Sequence, residues 1–179
     1  DGGKKKEAMK RHLAFYNAHP YMASPVIGAV ARLEESIAAG DISANGSTDF
    51  KKKVMGAYGA VGDDFFWGMV RPLASVVGAL CAVFWGLWGL AAFLALYNLF
   101  HFWMRWGGLQ KGLSLGVDVV GYIKSLRLAE WAERGRLAVV ALLGAFATAA
   151  AWKASFFAPF WSAAYGLAVF TAVFAAGFP

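Results

Sequence analysis

A long stretch without charge occupies the middle of this sequence, since no formally charged side chain lies between Arg71 and Arg105. Leu73 to Met104 alone exceeds the ~20 apolar residues that a membrane-spanning helix needs. The composition agrees, because 59% of the residues are hydrophobic and only 16% are charged, against roughly a quarter charged in soluble domains. We therefore predict an all-α integral membrane protein whose first membrane helix covers 73–104.

A second apolar block, Leu137 to Pro179, is interrupted only by Lys153. Its length predicts two more helices joined by a tight turn near Lys153 and Pro159, which gives about three membrane helices. The first apolar run is too long and too late in the chain for a signal peptide. Because the sequence begins with Asp1, we expect an N-terminal element of a longer protein to precede it.

The sequence shifts in composition along its length, and these shifts predict its organisation. The predicted segments are a basic amphipathic helix with an apolar segment and a polar linker over 1–49, a glycine-bent re-entrant hairpin over 50–72, the first membrane helix over 73–104, an amphipathic basic loop over 105–136, and a C-terminal membrane helix pair over 137–179. The fold is thus predicted as N-terminal amphipathic and re-entrant helices followed by about three membrane helices.

The net charge of +6 is concentrated beside the apolar runs. Lys4 to Lys6 and Lys51 to Lys53 form two basic clusters, which are typical of segments on an anionic membrane face. Most aromatic residues fall in or beside the apolar runs, so we expect no nucleic-acid binding. The basic segment 105–136 favours a cytoplasmic side, but the N-terminal region is also basic and leaves the orientation open.

Three glycines, Gly56, Gly59 and Gly62, precede the pair Asp63 and Asp64. Glycine allows close backbone approach or a sharp change of direction, and we interpret this series as the bend of the re-entrant hairpin. An aspartate here caps the following helix, a common role at helix starts, or serves as a polar group at a transport site. The two roles are compatible.

Other polar residues near the apolar run have two interpretations each. Arg71 is an interfacial anchor or an ion-pair partner of the aspartates. Asn98 and His101, at i and i+3, form a satisfied boundary pair or a donor and acceptor for sugar hydroxyls. No nucleotide, metal or hydrolase motif occurs, and the single cysteine, Cys81, excludes an internal disulfide. We expect no catalytic residue, metal or cofactor.

Small residues recur at intervals of four in the first span, at Ala74, Gly78, Ala82 and Gly86. Such a stripe lets another helix pack closely. A similar alanine stripe begins at Ala164. The sequence leaves open whether these stripes serve internal packing or a subunit interface.

Three sequence blocks together resemble the IID membrane subunit of mannose/fructose/sorbose-type sugar phosphotransferase systems. The first is FYNAHPYMASPVIGAVARLEE, Phe15 to Glu35. The second, GAVGDDFFWGMVRP, resembles the family's A-G-I-G-D-S-x-x-W-x-x-x-R-P. The third, YNLFHFWMRWGGLQKGLSLG from Tyr97, resembles Y-N-x-x-H followed by an Arg and G-x-x-x-G. Their order along about 100 residues makes the resemblance specific.

The resemblance implies a multi-pass subunit of the bacterial inner membrane that pairs with a IIC subunit in a trimer of heterodimers. It also implies that a hexose-type sugar is phosphorylated by separate IIA and IIB proteins, so no phosphorylated residue is expected on this chain. The residues that match the family motifs, and are therefore substrate-proximal or motif candidates, are Asn17, Pro20, Glu34, Glu35, Gly59, Gly62, Asp63, Trp67, Arg71, Pro72, Asn98 and His101.

Some positions depart from the family pattern. Asp64 stands where the family has a small Ser, and Ala57 where it has a Pro. The region between Gly116 and Leu137 is short, as though one membrane element were absent. An alternative is therefore a degenerate IID protein that scaffolds or regulates a complex without transport. A stand-alone channel or enzyme would be a third possibility.

Overall fold

A computed structural model describes residues 2–156, and the regular structure within that range is helical throughout. The α-helices are α1 (Gly2–His12), α2 (Ala23–Ala39), α3 (Gly46–Gly62), α4 (Arg71–Trp85), α5 (Trp88–Phe102), α6 (Gly108–Leu115), α7 (Val119–Ser125) and α8 (Leu128–Phe156). The all-α prediction is confirmed. The second helix of the predicted C-terminal pair, Pro159 and the alanine stripe from Ala164 lie outside the described residues.

The glycine-rich segment forms a continuous helix instead of the predicted hairpin over 50–72. A π-helical segment, Asp63–Val70, joins α3 to α4, and Gly46–Trp85 is one helical run of 40 residues. Asp63 has helical dihedral angles, φ −62° and ψ −47°, so the aspartates lie inside this run and do not cap a new helix. The three glycines therefore do not bend the chain.

The predicted single helix over 73–104 is divided in the structure. Gly86, at φ 58° and ψ −123°, ends α4, and α5 starts two residues later at Trp88. The two helices then pack as a hairpin, because a Cβ on Gly78 would lie 2.8 Å from the Phe93 Cβ and one on Gly89 would lie 2.4 Å from the Gly78 carbonyl oxygen. Uniformly apolar sequence gives no periodicity that could reveal this reversal, and only a glycine fits the positive φ.

The predicted basic loop over 105–136 is also helical. A short π-helical segment, Trp103–Gly107, leads into α6, and a 3-10 turn, Gly116–Asp118, leads into α7. Glu130 forms an ion pair with Arg127, about one turn earlier in the chain. The next helix, α8, runs unbroken through Lys153, where a turn was predicted, and the Lys153 ammonium contacts the Val83 carbonyl oxygen.

Glycines bring α2 and α6 together. A Cβ on Gly112 would lie 2.2 Å from the Pro25 carbonyl oxygen, and one on Gly28 would lie 2.4 Å from the Leu109 carbonyl oxygen. Only glycine permits backbones to approach so closely. The G-x-x-x-G spacing of Gly108 and Gly112 is thus a helix-crossing site.

The core lies between α2, α3, the two π-helical segments, α7 and α8. Its most deeply buried members are Met22, Ala29, Phe66, Val70, Met104, Val119 and Ala132. Large apolar side chains are exposed on α4 and α5 instead, including Trp85, Leu87 and Trp88. Two helical stretches, Gly46–Trp85 and Trp88–Ser155, are long and apolar enough to cross a membrane.

Candidate functional site

The π-helical segment Asp63–Val70 carries the central motif residues. Trp67 is 48% exposed, and the Arg71 guanidinium lies over its ring, 5.3 Å from the centroid. Arg71 therefore makes a cation–π contact with Trp67, whereas Asp64 pairs with Arg136 at 2.5 Å. Asp63 is exposed. Single π-type turns within α-helices occur frequently at functional sites, because the extra residue re-aims the side chains around it.

His19 is buried against this segment, with 2% exposure. Its ring stacks on Phe66 with centroids 5.0 Å apart, and Trp67 meets its edge at 5.9 Å. Gly62 makes the approach possible, since a Cβ there would lie 2.3 Å from the His19 Cβ. A glycine is therefore required at position 62, because any larger residue would collide with His19. Gly59 has a looser contact, 3.8 Å from the Ala18 Cα.

The electrostatics of His19 follow from its burial. Desolvation lowers its pKa, and the nearby negative charge of Asp63 acts in the opposite direction. Its Nδ1 accepts a hydrogen bond from the Tyr21 amide at 3.3 Å, while its Nε2 has no partner among the described residues. A buried imidazole with one free nitrogen is costly in a fold, which marks His19 as a candidate functional residue.

Tyr21 connects His19 to α5. Its hydroxyl oxygen lies 2.8 Å from that of Tyr97, and its ring stacks on His101 with centroids 4.3 Å apart. Arg105 lies over the same ring at 5.8 Å. We name the set His19, Tyr21, Phe66, Trp67, Tyr97 and His101 the aromatic cluster. It gathers residues of all the sequence blocks that match the family pattern.

Asn98 and His101 lie together at one edge of the aromatic cluster. The Asn98 amide nitrogen donates to the Leu94 carbonyl at 2.8 Å, and its side-chain oxygen lies 3.4 Å from the His101 Nδ1. The predicted i, i+3 contact is therefore present. Imidazoles, hydroxyls and aromatic faces in one place match the polar and apolar faces of a sugar ring, since each can give a hydrogen bond or a stacking contact.

Glu34 lies away from the aromatic cluster and joins three helices. Arg11 of α1 donates to it at 2.7 Å, and the buried Ser47 hydroxyl of α3 donates at 2.7 Å. The hydrogen bond from Arg11 is the main reason that the pKa of Glu34 is lowered. Glu35 is exposed and pairs with Arg32 at 3.2 Å. Of this acidic pair, Glu34 thus has a structural role and Glu35 a surface one.

The remaining predicted residues have different surroundings. Asn17 and Pro20 are exposed in the connection between α1 and α2. Of the small-residue stripe, Gly78 contacts α5, Ala82 lies within the Gly89 contact, Ala74 is buried, and Gly86 forms the turn. Gly78 and Ala82 thus serve packing within the hairpin.

Two residues of the site were not predicted from the sequence. His19 and Tyr21 belong to the first block, but three scattered histidines gave no metal or catalytic pattern. In the described residues no group of three or more His, Cys, Asp or Glu side chains could hold a metal ion. The contact of Gly62 with His19 joins distant parts of the chain, so no local sequence pattern signals it.

Comparison with known proteins identifies the family of this arrangement. The pattern of the PTS system mannose/fructose/sorbose family IID component matches residues 1–170. The mannose-specific EIID component of Escherichia coli (strain K12) is 38% identical over 117 residues, 65% of this chain and 41% of that protein. The fructose permease IID component of Bacillus subtilis (strain 168) is 30% identical over 145 residues, 80% of this chain and 53% of that protein.

Solved structures agree. A cryo-EM structure of the mannose transporter ManYZ with microcin E492 aligns with a TM-score of 0.60 and 35% identity, over 78% of this chain and 52% of that one. A structure described as a membrane protein aligns over the same shares at 35% identity with a TM-score of 0.68. The chain spans about half, or less, of the length of these relatives. It belongs to the mannose/fructose/sorbose family of phosphotransferase-system IID components, which makes it a membrane protein.

Proposed function

We propose that this chain is the IID membrane subunit of a mannose-type phosphotransferase system. It pairs with a IIC subunit to translocate a hexose-type sugar, which IIA and IIB proteins phosphorylate. The family match over residues 1–170 supports this proposal. The similarity to the ManYZ transporter supports a membrane complex with a partner subunit. The complex is a trimer of such heterodimers in the bacterial inner membrane, and the chain crosses that membrane more than once.

The observation that carries the proposal is the meeting of separate motif blocks in the aromatic cluster. His19 comes from the first block, Trp67 from the second and His101 from the third, and Tyr21 contacts both histidines. Packing of the core alone would need apolar side chains here, whereas these residues retain imidazole nitrogens and hydroxyls. Sugar hydroxyls are the kind of group that such nitrogens and hydroxyls bind.

A non-catalytic role fits the surroundings of the histidine. A phosphoryl acceptor has to meet the donor protein directly, and His19 is 2% exposed. Its lowered pKa keeps the imidazole neutral near neutral pH, which suits hydrogen bonding to a neutral ligand. The residues of this chain are therefore assigned to binding and positioning the sugar, and the phosphoryl transfer to IIA and IIB.

Exposed apolar residues of the α4–α5 hairpin support the membrane and partner assignment. Leu87 and Trp88 are 88% and 74% exposed at the hairpin turn. Apolar side chains of this size need lipid or a protein partner to cover them. In the proposed complex, the IIC subunit and the bilayer cover these side chains.

Sugar phosphorylation in reconstituted vesicles tests the proposal. Vesicles with the candidate IIA, IIB and IIC proteins, supplied with phosphoenolpyruvate, are compared with and without this chain. We expect sugar phosphate to form only when the chain is present, and the IIC protein to co-purify with it. Co-purification without activity would favour the scaffold or regulator, and loss of both would contradict the proposal.

A further inference from the structure

An open cavity of about 380 Å³ lies between α1, α2 and α3, apart from the aromatic cluster. Most of its wall is apolar and consists of Tyr16, Val26, Ile27, Val30 and Ala31. Ile27 is 60% exposed at the mouth, so the groove presents apolar surface to its surroundings. A free sugar would find few hydrogen-bond partners here, whereas an acyl chain matches such a lining.

The rim of the cavity is cationic. Lys51 lines it, and the last turn of α1 next to it contains Lys10, Arg11 and His12. The Lys51 ammonium donates to the Arg11 carbonyl oxygen at 2.6 Å. Since an ammonium group has three donors, this bond leaves two for a ligand.

The single carboxylate of the cavity does not oppose an anion. Glu34 accepts the guanidinium of Arg11 at 2.7 Å and the hydroxyl of Ser47 at 2.7 Å, so its charge is already compensated. The exposed Lys52 and Lys53 follow in α3 and add positive charge, of which the exposed Asp49 in the first turn of α3 offsets one unit. The net field at the mouth is therefore positive.

The basic residues beside the cavity, in the last turn of α1 and at Lys51 to Lys53, are of the kind that lies on an anionic membrane surface. Lys51 lies near the start of the run Gly46–Trp85, whose charge-free part begins after Arg71. At a rise of about 1.5 Å per residue, Lys51 and Arg71 are about 30 Å apart along that run. The cavity is thus a site apart from the apolar hairpin and its exposed surface.

From these contacts we infer that the cavity between α1, α2 and α3 binds an anionic phospholipid. The apolar groove formed by Val26, Ile27, Val30 and Ala31 holds part of an acyl chain, and the Lys51 ammonium at the rim holds the phosphate. The bound lipid fastens the basic helix α1 to the bundle at the membrane surface. A phosphate without an acyl chain would use only the rim.

Native mass spectrometry tests this lipid site. The protein is extracted from vesicles of equal parts phosphatidylglycerol and phosphatidylcholine, and the retained lipid is counted. We expect retained phosphatidylglycerol in the unaltered protein and about a fivefold loss of it in Lys51→Met, from the attraction of one lysine for an anionic surface. Lys52→Met is the matched control, because Lys52 is exposed and does not line the cavity.

A second variant guards against misfolding of Lys51→Met. Ala31→Trp fills the groove from an exposed position and retains every charge, so it should also lose phosphatidylglycerol while the helical circular dichroism stays unchanged. Equal retention of both lipids would overturn the proposal, as would an equal effect of Lys52→Met. Displacement of the lipid by free glycerol phosphate at equal concentration would overturn the acyl-chain site and leave only an anion site.

Discussion

Glycine meets glycine at two helix crossings of the described chain, and the surroundings of the two crossings are opposite. Gly28 and Gly112 join α2 to α6 beside buried apolar core residues. Gly78 and Gly89 join α4 to α5 in a hairpin whose turn exposes Leu87 and Trp88 by 88% and 74%. The same close backbone contact thus occurs in two settings. At the α2–α6 crossing, burial from water stabilises it. At the α4–α5 crossing, lipid or a partner has to cover the outer surface.

The difference shows how the chain is organised. Burial of apolar surface contributes about 25 cal/mol per Å² where water is the alternative. Within a bilayer that contribution is absent between helices, and packing contacts replace it. The α2–α6 region is therefore expected to be a self-sufficient bundle, and the hairpin to depend on its surroundings. Substitutions at the two crossings, and at residues that connect the two regions, test this contrast.

The largest effect is expected at Gly112→Ala. The new Cβ would lie 2.2 Å from the Pro25 carbonyl oxygen, and backbone cannot move aside as a side chain can. We expect a loss of unfolding free energy of about 3 kcal/mol, the upper part of the range for overpacking, measured by thermal circular dichroism in detergent. Gly121→Ala is the control, since its Cβ would meet no atom within 4 Å. Equal midpoints for the two variants would contradict the crossing.

Gly78→Ala should have a smaller effect. Its Cβ would lie 2.8 Å from the Phe93 Cβ and 3.0 Å from the Gly89 carbonyl oxygen, both longer than the contact at Gly112. We expect a loss of about 1–2 kcal/mol that varies with the acyl length of the detergent, whereas the loss in Gly112→Ala does not. Gly144→Ala on α8, with no atom within 4 Å, is the control. A larger loss at Gly78 than at Gly112 would reverse the contrast.

A hydrogen bond connects the two regions, and a double-mutant cycle measures it. The hydroxyl groups of Tyr21 and Tyr97 are 2.8 Å apart. Tyr21→Phe and Tyr97→Phe should each cost about 1 kcal/mol of unfolding free energy, and the double variant little more than either one. Strict additivity of the two losses would show that the hydroxyl pair does not couple the regions.

The smallest effect is expected from pH. Burial lowers the pKa of His19 in the folded state, so below about pH 6.5 the unfolded chain binds more protons than the folded one. The stability contribution of neutral His19 is therefore complete above that pH and is lost as the pH falls toward the lower, folded-state pKa. His19→Gln should flatten the slope of unfolding midpoint against pH in this window. An unchanged slope in His19→Gln would contradict this assignment.

The features that follow from composition could be predicted from the sequence. The contacts between residues far apart in the chain could not. The charge-free run between Arg71 and Arg105 was enough for the membrane class and the helical fold. The division of that run at Gly86 was not visible, because a run that is apolar on every side has no face whose periodicity could show a reversal. Only the contact between Gly78 and Gly89 shows that the small-residue stripe packs α4 against α5.

The candidate site was also only partly predictable, because its central contact joins residues far apart in the chain. Gly62 and Trp67 were found through the family pattern, but the bend assigned to the glycines was wrong, because Gly62 makes room for His19 and does not turn the chain. That contact joins residues 43 positions apart (62 − 19), and no local pattern encodes it. The same contact with Gly62 also helps to bury His19.

The most direct test of the central claim compares sugar uptake in Asp63→Asn and Asp64→Asn. Asp63 lies near His19 and the aromatic cluster, whereas Asp64 is paired with Arg136 on the surface. Uptake of labelled sugar is measured with the complete set of partner proteins, together with co-purification of the IIC protein. The account predicts impaired uptake with intact co-purification for Asp63→Asn, and nearly full uptake for Asp64→Asn. Normal uptake by Asp63→Asn would contradict the claim that this face of the chain handles the sugar.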